Sequence, residues 1–156
     1  SCITFPTYCD MFSEILILST LFPKSEFFSR CKMRYFDHNS LREVDQPMGA
    51  ALLLKRKVLE SVGGLDERFI MFYNDVDFCK RISDAGFKLV FYPDAKVKHM
   101  EGISIYKDRS GMIKIWNNDC LRYFKKHNYN PFLYSLLYIG LKVTGFFRII
   151  KAKLYR

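Results

Sequence analysis

Acidic residues are scarce in the C-terminal third of this 156-residue sequence. Residues 107–156 contain 11 Lys and Arg but only 2 Asp and Glu, whereas residues 1–106 contain 14 of each kind. The formal net charge of +9 therefore belongs entirely to the C-terminal third. Such an asymmetry suggests a negatively charged partner, and nucleic acid and an anionic membrane surface are the two usual ones.

Disulfide and metal-binding patterns are also missing. The five cysteines are scattered, with no CxxC pair and no Cys/His spacing typical of a zinc site. An odd number of cysteines argues against a secreted disulfide framework and favours a reducing compartment. The first residues lack the basic segment and cleavage site of a signal peptide. We therefore expect a cytoplasmic location, and the lack of Met at position 1 suggests a piece of a longer protein.

No apolar run is long enough to predict a membrane span. Residues 10–22 predict a helix that is capped by Asp10 and stops before Pro23, but it is too short and too polar at its start. Residues 132–141 are apolar and rich in aromatics, and Lys142 ends this run after ten residues. With 49% hydrophobic residues, the chain has enough apolar material for the core of one domain.

The pattern of apolar residues predicts an α/β chain in three parts. Residues 1–47 hold an N-terminal helix and a loop, residues 48–128 form the main domain, and residues 129–156 form a basic helical tail. The predicted elements of the main domain are a buried strand over 48–54, a helix over 55–62 that Gly63 and Gly64 break, a helix from Asn74 to about Ala85, strands over 88–92 and 95–99, and a helix over 111–126.

The helix that begins near Asn74 organises the main domain. Asn74 is a good N-cap, and Gly86 suits the left-handed position that follows a helix. Helical spacing places an apolar stripe on one face, formed by Phe78, Cys79, Ile82 and Ala85.

Two acids near the start of this helix are predicted to differ. Asp75 falls within the apolar stripe, where a carboxylate needs a partner, a metal or a substrate. Asp77 falls on the polar face, near Arg81. An inward carboxylate of this kind suits general-base chemistry, although a helix-start Asp is more often a cap or an ion-pair partner. The pattern alone leaves both interpretations of Asp75 open.

His99 closes a predicted strand 24 residues after Asp75. The two residues lie at the ends of elements, which is where active sites gather in α/β folds. We therefore expect both side chains at the mouth of one cleft, although a single His at a strand end is usually structural.

Five sequence blocks follow one another in order: MGAALLLKR (48–56), VGGLDERF (62–69), NDVDFCKR (74–81), AGF (85–87) and YPDAKVKH (92–99). Together they resemble the C-terminal half of family 2 glycosyltransferases, in particular the rhamnosyltransferase-like branch. The resemblance covers about residues 35–127. It implies the C-terminal, acceptor-side portion of a GT-A fold, which is a Rossmann-like mixed sheet with flanking helices, followed here by a helical tail.

The resemblance also implies a reaction and a site. The reaction is inverting transfer of a sugar, such as rhamnose, from a nucleotide-sugar donor to a cell-envelope glycan or a lipid-linked acceptor. Asp75 matches the catalytic base, and His99 matches a ligand of a divalent cation, Mg²⁺ or Mn²⁺. The acceptor is expected to contact Gly49, Ala50, Asn74 and Asp77.

Two departures from the family pattern support a competing interpretation, a non-catalytic remnant or interaction module. The Glu that usually precedes the base is Asn74 here. The N-terminal half, with its nucleotide-binding loop and Asp-x-Asp metal ligands, is missing, so the isolated fragment is expected to be inactive. Asp75 and Asp77 do not replace that motif, because side chains two residues apart on a helix point in different directions.

Three interpretations of the basic tail are possible. Nucleic-acid binding is disfavoured, because no recognition motif accompanies the charge. A plain solvated helix does not fit the apolar run at 132–141. An apolar segment followed by Lys142, Arg148, Lys151, Lys153 and Arg156 fits peripheral association with an anionic cytoplasmic leaflet, without spanning it.

Overall fold

A computed structural model describes residues 2–22, 25, 27–28, 39–99 and 108–154 of the chain. The helices in these ranges are α1 (Tyr8–Ile15), α2 (Leu18–Leu21), α3 (Arg56–Val62), α4 (Asn74–Asp84), α5 (Arg109–His127) and α6 (Pro131–Leu154). The strands are β1 (Cys2–Ile3), β2 (Arg42–Glu43), β3 (Gln46–Pro47) and β4 (Val90–Phe91). Two antiparallel pairs form, β1 with β3 and β2 with β4.

The chain divides into two compact units. The first comprises Ser1–Glu67 and Asn74–His99, and the second comprises Arg68–Tyr73 and Met100–Arg156. The core of the first unit is formed by α3, α4 and the residue that precedes β4, with Val58, Phe78, Cys79, Ile82 and Leu89 buried together. Burial of a side chain such as Phe78 or Ile82 contributes roughly 1.5–3 kcal/mol, so this cluster holds α4 in place.

In the second unit α5 packs against α6. Tyr123 and Phe124 on α5 and Leu137 and Leu141 on α6 are essentially inaccessible to solvent. The two helices approach closely at Gly145, where an added Cβ would lie 2.5 Å from the Asn117 Nδ2 atom. A side chain at this crossing would displace the Asn117 amide, whose Nδ2 atom donates to the carbonyl oxygen of Leu141 at 3.0 Å.

The N-terminal helix differs from its prediction. It starts two residues earlier than expected, because Thr7 is the N-cap and Asp10 completes a capping box from the third helical position. It ends at Ile15, since Ile17 adopts a left-handed conformation with φ 62° before α2 begins. Pro23, the predicted stop, lies outside the described residues.

Two predicted strands are absent from their positions. Residues 48–54 form a turn followed by a segment without regular secondary structure, in which Leu52 and Leu54 pack on the α3–α4 core while Leu53 is 99% exposed. Residues 95–99 are exposed along their length and pair with no strand in the part of the chain that the structure describes. Both predictions were wrong because apolar content and alternation describe burial, whereas a strand also needs a neighbouring backbone to pair with.

The other elements of the main domain match their predictions closely. Helices α3 and α5 lie where they were predicted, and β4 occupies the middle of the predicted strand at 88–92. Gly86 has the predicted left-handed conformation, with a φ of 80°, two residues after α4 ends at Asp84. Ala85 is exposed rather than part of the buried stripe. Helices combined with small sheets are consistent with the α/β class. The larger mixed sheet of a GT-A fold is not seen in the described ranges and stays a prediction.

The tail is a single helix, α6, that runs through Lys142 without a break. By length and composition alone, α6 is the one helix among the described residues that could cross a membrane, so the in-plane orientation expected from the sequence stays a prediction. Its 24 residues correspond to about 36 Å at 1.5 Å per residue.

Candidate functional site

The first unit contains a cavity of about 540 Å³ at the start of α4. Its polar lining residues are Asn74, Asp75 and His99. The rest of the lining is apolar side chain or backbone, contributed by Met48, Gly49, Ala50, Leu52, Leu54, Leu59, Gly64, Leu65 and Phe78. A few convergent polar groups in a largely apolar cavity are typical of a binding site for a small organic group.

The backbone at the start of α4 presents Asp75 to this cavity. The preceding residue, Tyr73, has a φ of 61°, and the helix begins directly after it. Asn74 is therefore already the first helical residue rather than a cap outside the helix. Its Oδ1 atom accepts the Asp75 backbone N–H at 2.7 Å.

Both carboxylate oxygens of Asp75 accept a backbone hydrogen bond. The Val76 N–H donates to Oδ1 at 2.9 Å, and the Gly49 N–H donates to Oδ2 at 3.2 Å. A carboxylate oxygen has two lone pairs, so each oxygen can still accept a proton or a hydroxyl from the cavity. Asp75 is thus a half-buried carboxylate with a set orientation and free accepting capacity.

Position 49 requires glycine, because any side chain there would collide with Asp75. A Cβ added at Gly49 would lie 2.7 Å from the Asp75 Cβ and 3.1 Å from its Oδ2 atom. The Asp75 Cβ is attached directly to the helix backbone, so it cannot move aside without moving α4.

Asp77 lies elsewhere, since it does not line the cavity. Its predicted partner is confirmed, because the Arg81 Nε atom donates to Asp77 Oδ2 at 2.9 Å. The predicted polar face does not expose Asp77 to solvent, because its side chain is completely buried. The reason is that Arg81 covers the carboxylate and donates onward to the carbonyls of Val62 and Gly64.

His99 lines the same cavity as Asp75, as expected from the sequence, and is exposed at the end of the first unit. The described residues contain no cluster of three or more His, Cys, Asp or Glu side chains that could hold a metal ion. The imidazole of His99 and the carboxylate of Asp75 do not by themselves fit Mg²⁺ or Mn²⁺, which need about six mainly oxygen ligands.

The Cys79 thiol lies near the cavity but does not serve as a nucleophile. It is fully buried on α4, and burial together with the nearby charge of Asp75 raises the pKa of Cys79 to about 12. Because the thiolate is the reactive form, this thiol is inert at neutral pH.

Asp119 is a further buried acid, in the second unit, and sequence reasoning did not identify it. Its carboxylate accepts the backbone N–H groups of Met71 at 3.1 Å and Phe72 at 3.0 Å, with a longer contact to Ile70 at 3.4 Å. Arg122 donates to it at 2.9 Å. Asp119 thereby holds the segment that immediately precedes α4 in the chain. The one feature of the sequence that could have drawn attention to Asp119 is that it is the only acidic residue within α5.

Comparisons with known proteins identify the family that the chain resembles. The family model described as "Glycosyltransferase like family 2" matches residues 2–117. An N-acetylglucosaminyl-diphospho-decaprenol L-rhamnosyltransferase of Mycobacterium tuberculosis is 39% identical over 69 residues, which is 44% of this chain and 22% of that protein. The low-salt glycan biosynthesis hexosyltransferase Agl10 of Haloferax volcanii is 38% identical over 45 residues, 29% of this chain and 14% of that protein.

The chain therefore spans less than a quarter of the length of the curated relatives it matches. No solved structure gives a significant match. The family model nevertheless covers about three quarters of the chain, including the whole cavity with Asp75 and His99. On this basis the chain belongs to glycosyltransferase-like family 2.

Proposed function

We propose that this chain is the acceptor-side portion of an inverting glycosyltransferase, with Asp75 as its general base. The observation that carries the proposal is the Asp75 carboxylate, which lines a 540 Å³ cavity and is oriented by two backbone N–H donors. A general base must be held within reach of the proton it removes, and this arrangement provides such a group.

In the proposed reaction an acceptor hydroxyl enters the cavity and donates to Asp75. The carboxylate takes the hydroxyl proton while the oxygen attacks the anomeric carbon of the donor sugar. The bond from that carbon to the nucleotide diphosphate breaks on the opposite face, so the configuration inverts. Gly49 and Ala50 form the floor beneath the acceptor, where the absence of large side chains allows close approach.

The acceptor is a glycan or a lipid-linked sugar of the cell envelope, and the donor is a nucleotide sugar. Rhamnose is the first sugar to test, because the name of the mycobacterial relative includes rhamnosyl transfer to a diphospho-decaprenol acceptor. Large apolar side chains such as Leu52, Leu59 and Phe78 line the cavity, which suits the apolar face of a sugar ring or a neighbouring lipid group.

The nucleotide and any divalent cation need groups that the described residues lack. His99 would contribute one ligand to Mg²⁺ or Mn²⁺ in the complete enzyme, and the remaining ligands would come from other residues. Because the chain covers under a quarter of the mycobacterial relative, we expect the isolated chain to be inactive.

Helix α6 is proposed to lie on the cytoplasmic face of the membrane. Opposite its packed side it exposes an apolar stripe over its full length, formed by Phe132, Leu136, Ile139, Val143, Phe146, Ile150 and Leu154. The helix contains four cations within residues 131–154 and no acid, so an anionic lipid surface fits better than a second copy of the same basic helix. Lys142 in its middle favours an in-plane orientation over a span.

The test is sugar transfer by the longer protein that contains this chain, with labelled nucleotide sugars and an extract of polyprenyl-linked acceptors. Asp75→Asn should lower turnover by roughly 10²–10⁴-fold, the usual contribution of a general base, with little loss of stability. Asp84→Asn on the same helix is the matched control, because Asp84 is exposed and pairs with Lys80. Near-normal turnover of Asp75→Asn would favour the non-catalytic interpretation.

A further inference from the structure

The Arg81 side chain joins three separate parts of the first unit. Its Nε atom donates to Asp77 Oδ2 one turn earlier on α4, at 2.9 Å. Its Nη1 atom donates to the carbonyl oxygen of Val62, and its Nη2 atom donates to that of Gly64 at 2.7 Å. All three nitrogens of the guanidinium group are therefore used.

Asp77 holds the guanidinium group in this position. Its side chain is fully buried, whereas that of Arg81 is 21% exposed. A buried carboxylate is costly unless it is paired and hydrogen-bonded, so Arg81 cannot turn away into solvent without leaving that charge less compensated.

The two carbonyl groups belong to the turn that ends α3. Val62 is the last residue of α3, and Gly63 reverses the chain with a φ of 73°. Carbonyls at the end of a helix lack partners within the helix, and Arg81 supplies one for Val62. Next along the chain, Gly64 and Leu65 line the cavity that contains Asp75.

We propose that Arg81 and Asp77 are positioning residues that hold the Gly64–Leu65 wall of the cavity against α4. The pair sets the distance between this wall and the helix that carries Asp75, and so determines the room for an acceptor. The inference rests on the proposed function only in taking the cavity as the acceptor site. Arginine is required because lysine, with one nitrogen, cannot bind a carboxylate and two carbonyls in this planar arrangement.

The direct test uses the 156-residue chain and needs no substrate. Backbone ¹⁵N relaxation measures the order parameters of Gly64 and Leu65 in the wild type and in Arg81→Lys. We expect values near about 0.85, typical of rigid backbone, to fall below about 0.6 in the variant, while the amides of Phe78 and Ile82 keep wild-type values.

Lys80→Ala is the matched control. Lys80 also pairs with an acid four residues along α4, Asp84, but it does not line the cavity. We expect no change at Gly64 or Leu65. Unchanged order parameters in Arg81→Lys, or a parallel fall at Phe78 and Ile82, would overturn the proposal. If Arg81→Lys does not fold, the neutral double variant Asp77→Asn/Arg81→Gln is measured against the same criteria.

A kinetic measurement separates this proposal from the proposed function. In the transfer assay, Arg81→Lys should raise the acceptor KM roughly 10-fold and change kcat by less than about threefold, because the wall contacts the ground state and the transition state alike. A loss in kcat alone would contradict the assigned role. If the wild type transfers no sugar, the proposed function fails, while the relaxation data still decide whether Arg81 holds the wall.

Discussion

Asp75 and Asp77 are two residues apart on α4 and have different environments. Asp75 is half-buried at the cavity and is held by two backbone N–H groups, whereas Asp77 is fully buried against Arg81. This contrast supports the separate roles that we propose for the two acids. In the proposed function Asp75 exchanges a proton with a bound hydroxyl, and in the further proposal Asp77 helps to position the wall of the cavity.

At the residue scale we predict that Gly49→Ala lowers sugar transfer without unfolding the protein. The new Cβ would lie 2.7 Å from the Asp75 Cβ, so the Gly49 segment must move back and its N–H would leave the carboxylate. A misplacement of about 1 Å at a catalytic group can cost about 10²-fold in rate, and we expect a loss of kcat/KM of that order.

Ala51→Ser is the control for this substitution. Ala51 lies two residues further along the same segment, is exposed and does not line the cavity. Thermal unfolding of both variants should stay close to that of the wild type. Equal activity of Gly49→Ala and Ala51→Ser would show that the orientation of Asp75 does not depend on Gly49.

At the element scale, α6 combines a packed face with an exposed apolar stripe. Leu137, Leu141 and Gly145 face α5, and the stripe from Phe132 to Leu154 lies opposite them. Because the packed face already stabilises the helix, changes in the stripe should affect binding to lipid more than folding.

We predict that Ile139→Lys/Phe146→Lys abolishes most binding to vesicles that contain anionic lipid, as measured by co-sedimentation. Both residues are more than half exposed in the middle of the stripe, so the substitutions remove apolar contact area although they add positive charge. Ser135→Lys is the control, because it adds a cation at an exposed polar position of the same helix.

Wild-type binding should weaken with salt, since screening acts within about 10 Å at 0.1 M ionic strength. A chain that ends before residue 132 should lose binding. Stripe variants that bind like the wild type would refute the proposed orientation of α6. Wild-type binding that resists both salt and carbonate would show instead that the helix spans the bilayer.

At the scale of the whole molecule, buried thiols couple stability to pH. Among the described residues burial raises the pKa of Cys2, and it raises the pKa of two further thiols by a larger amount. Burial raises the pKa of Cys79 in the first unit and of Cys120 in the second to about 12, from an ordinary 9.0. The folded protein keeps two protons that the unfolded chain loses above about pH 9. The stabilisation is therefore complete below pH 9 and is lost as the pH rises towards 12.

We predict that the free energy of unfolding falls above pH 9 by about 1.4 kcal/mol per pH unit for each thiol. Urea unfolding at several pH values measures it, and the fluorescence of Trp116, the single tryptophan, reports the second unit. Cys120→Ala should flatten this dependence in the second unit, and Cys79→Ala in the first. Cys9 is exposed, so Cys9→Ala should leave the pH dependence of the unfolding free energy unchanged in both units. The same pH dependence in the wild type and in all three variants would contradict the prediction.

Helices were predictable from the sequence because their signals are local. The apolar spacing of α4 and α5, the glycine that follows α4 and the Asn130–Pro131 break before α6 act within a few residues, which is the range of helical hydrogen bonds. The order of the family blocks likewise placed Asp75 and His99 together, and both line one cavity. The assignment of the chain to glycosyltransferase family 2 was also available from the sequence.

The tertiary structure alone decided which groups surround Asp75 and Asp77. Gly49 and Asp75 are 26 residues apart in the sequence, and Gly64 and Arg81 are 17 apart. Asp119 contacts Ile70, which lies 49 residues earlier in the sequence. No local pattern encodes such pairs, because they depend on where distant segments meet after the core has formed. The same reason explains the missing strands at 48–54 and 95–99: local sequence sets the tendency of a segment to extend, but a strand exists only where another backbone lies beside it.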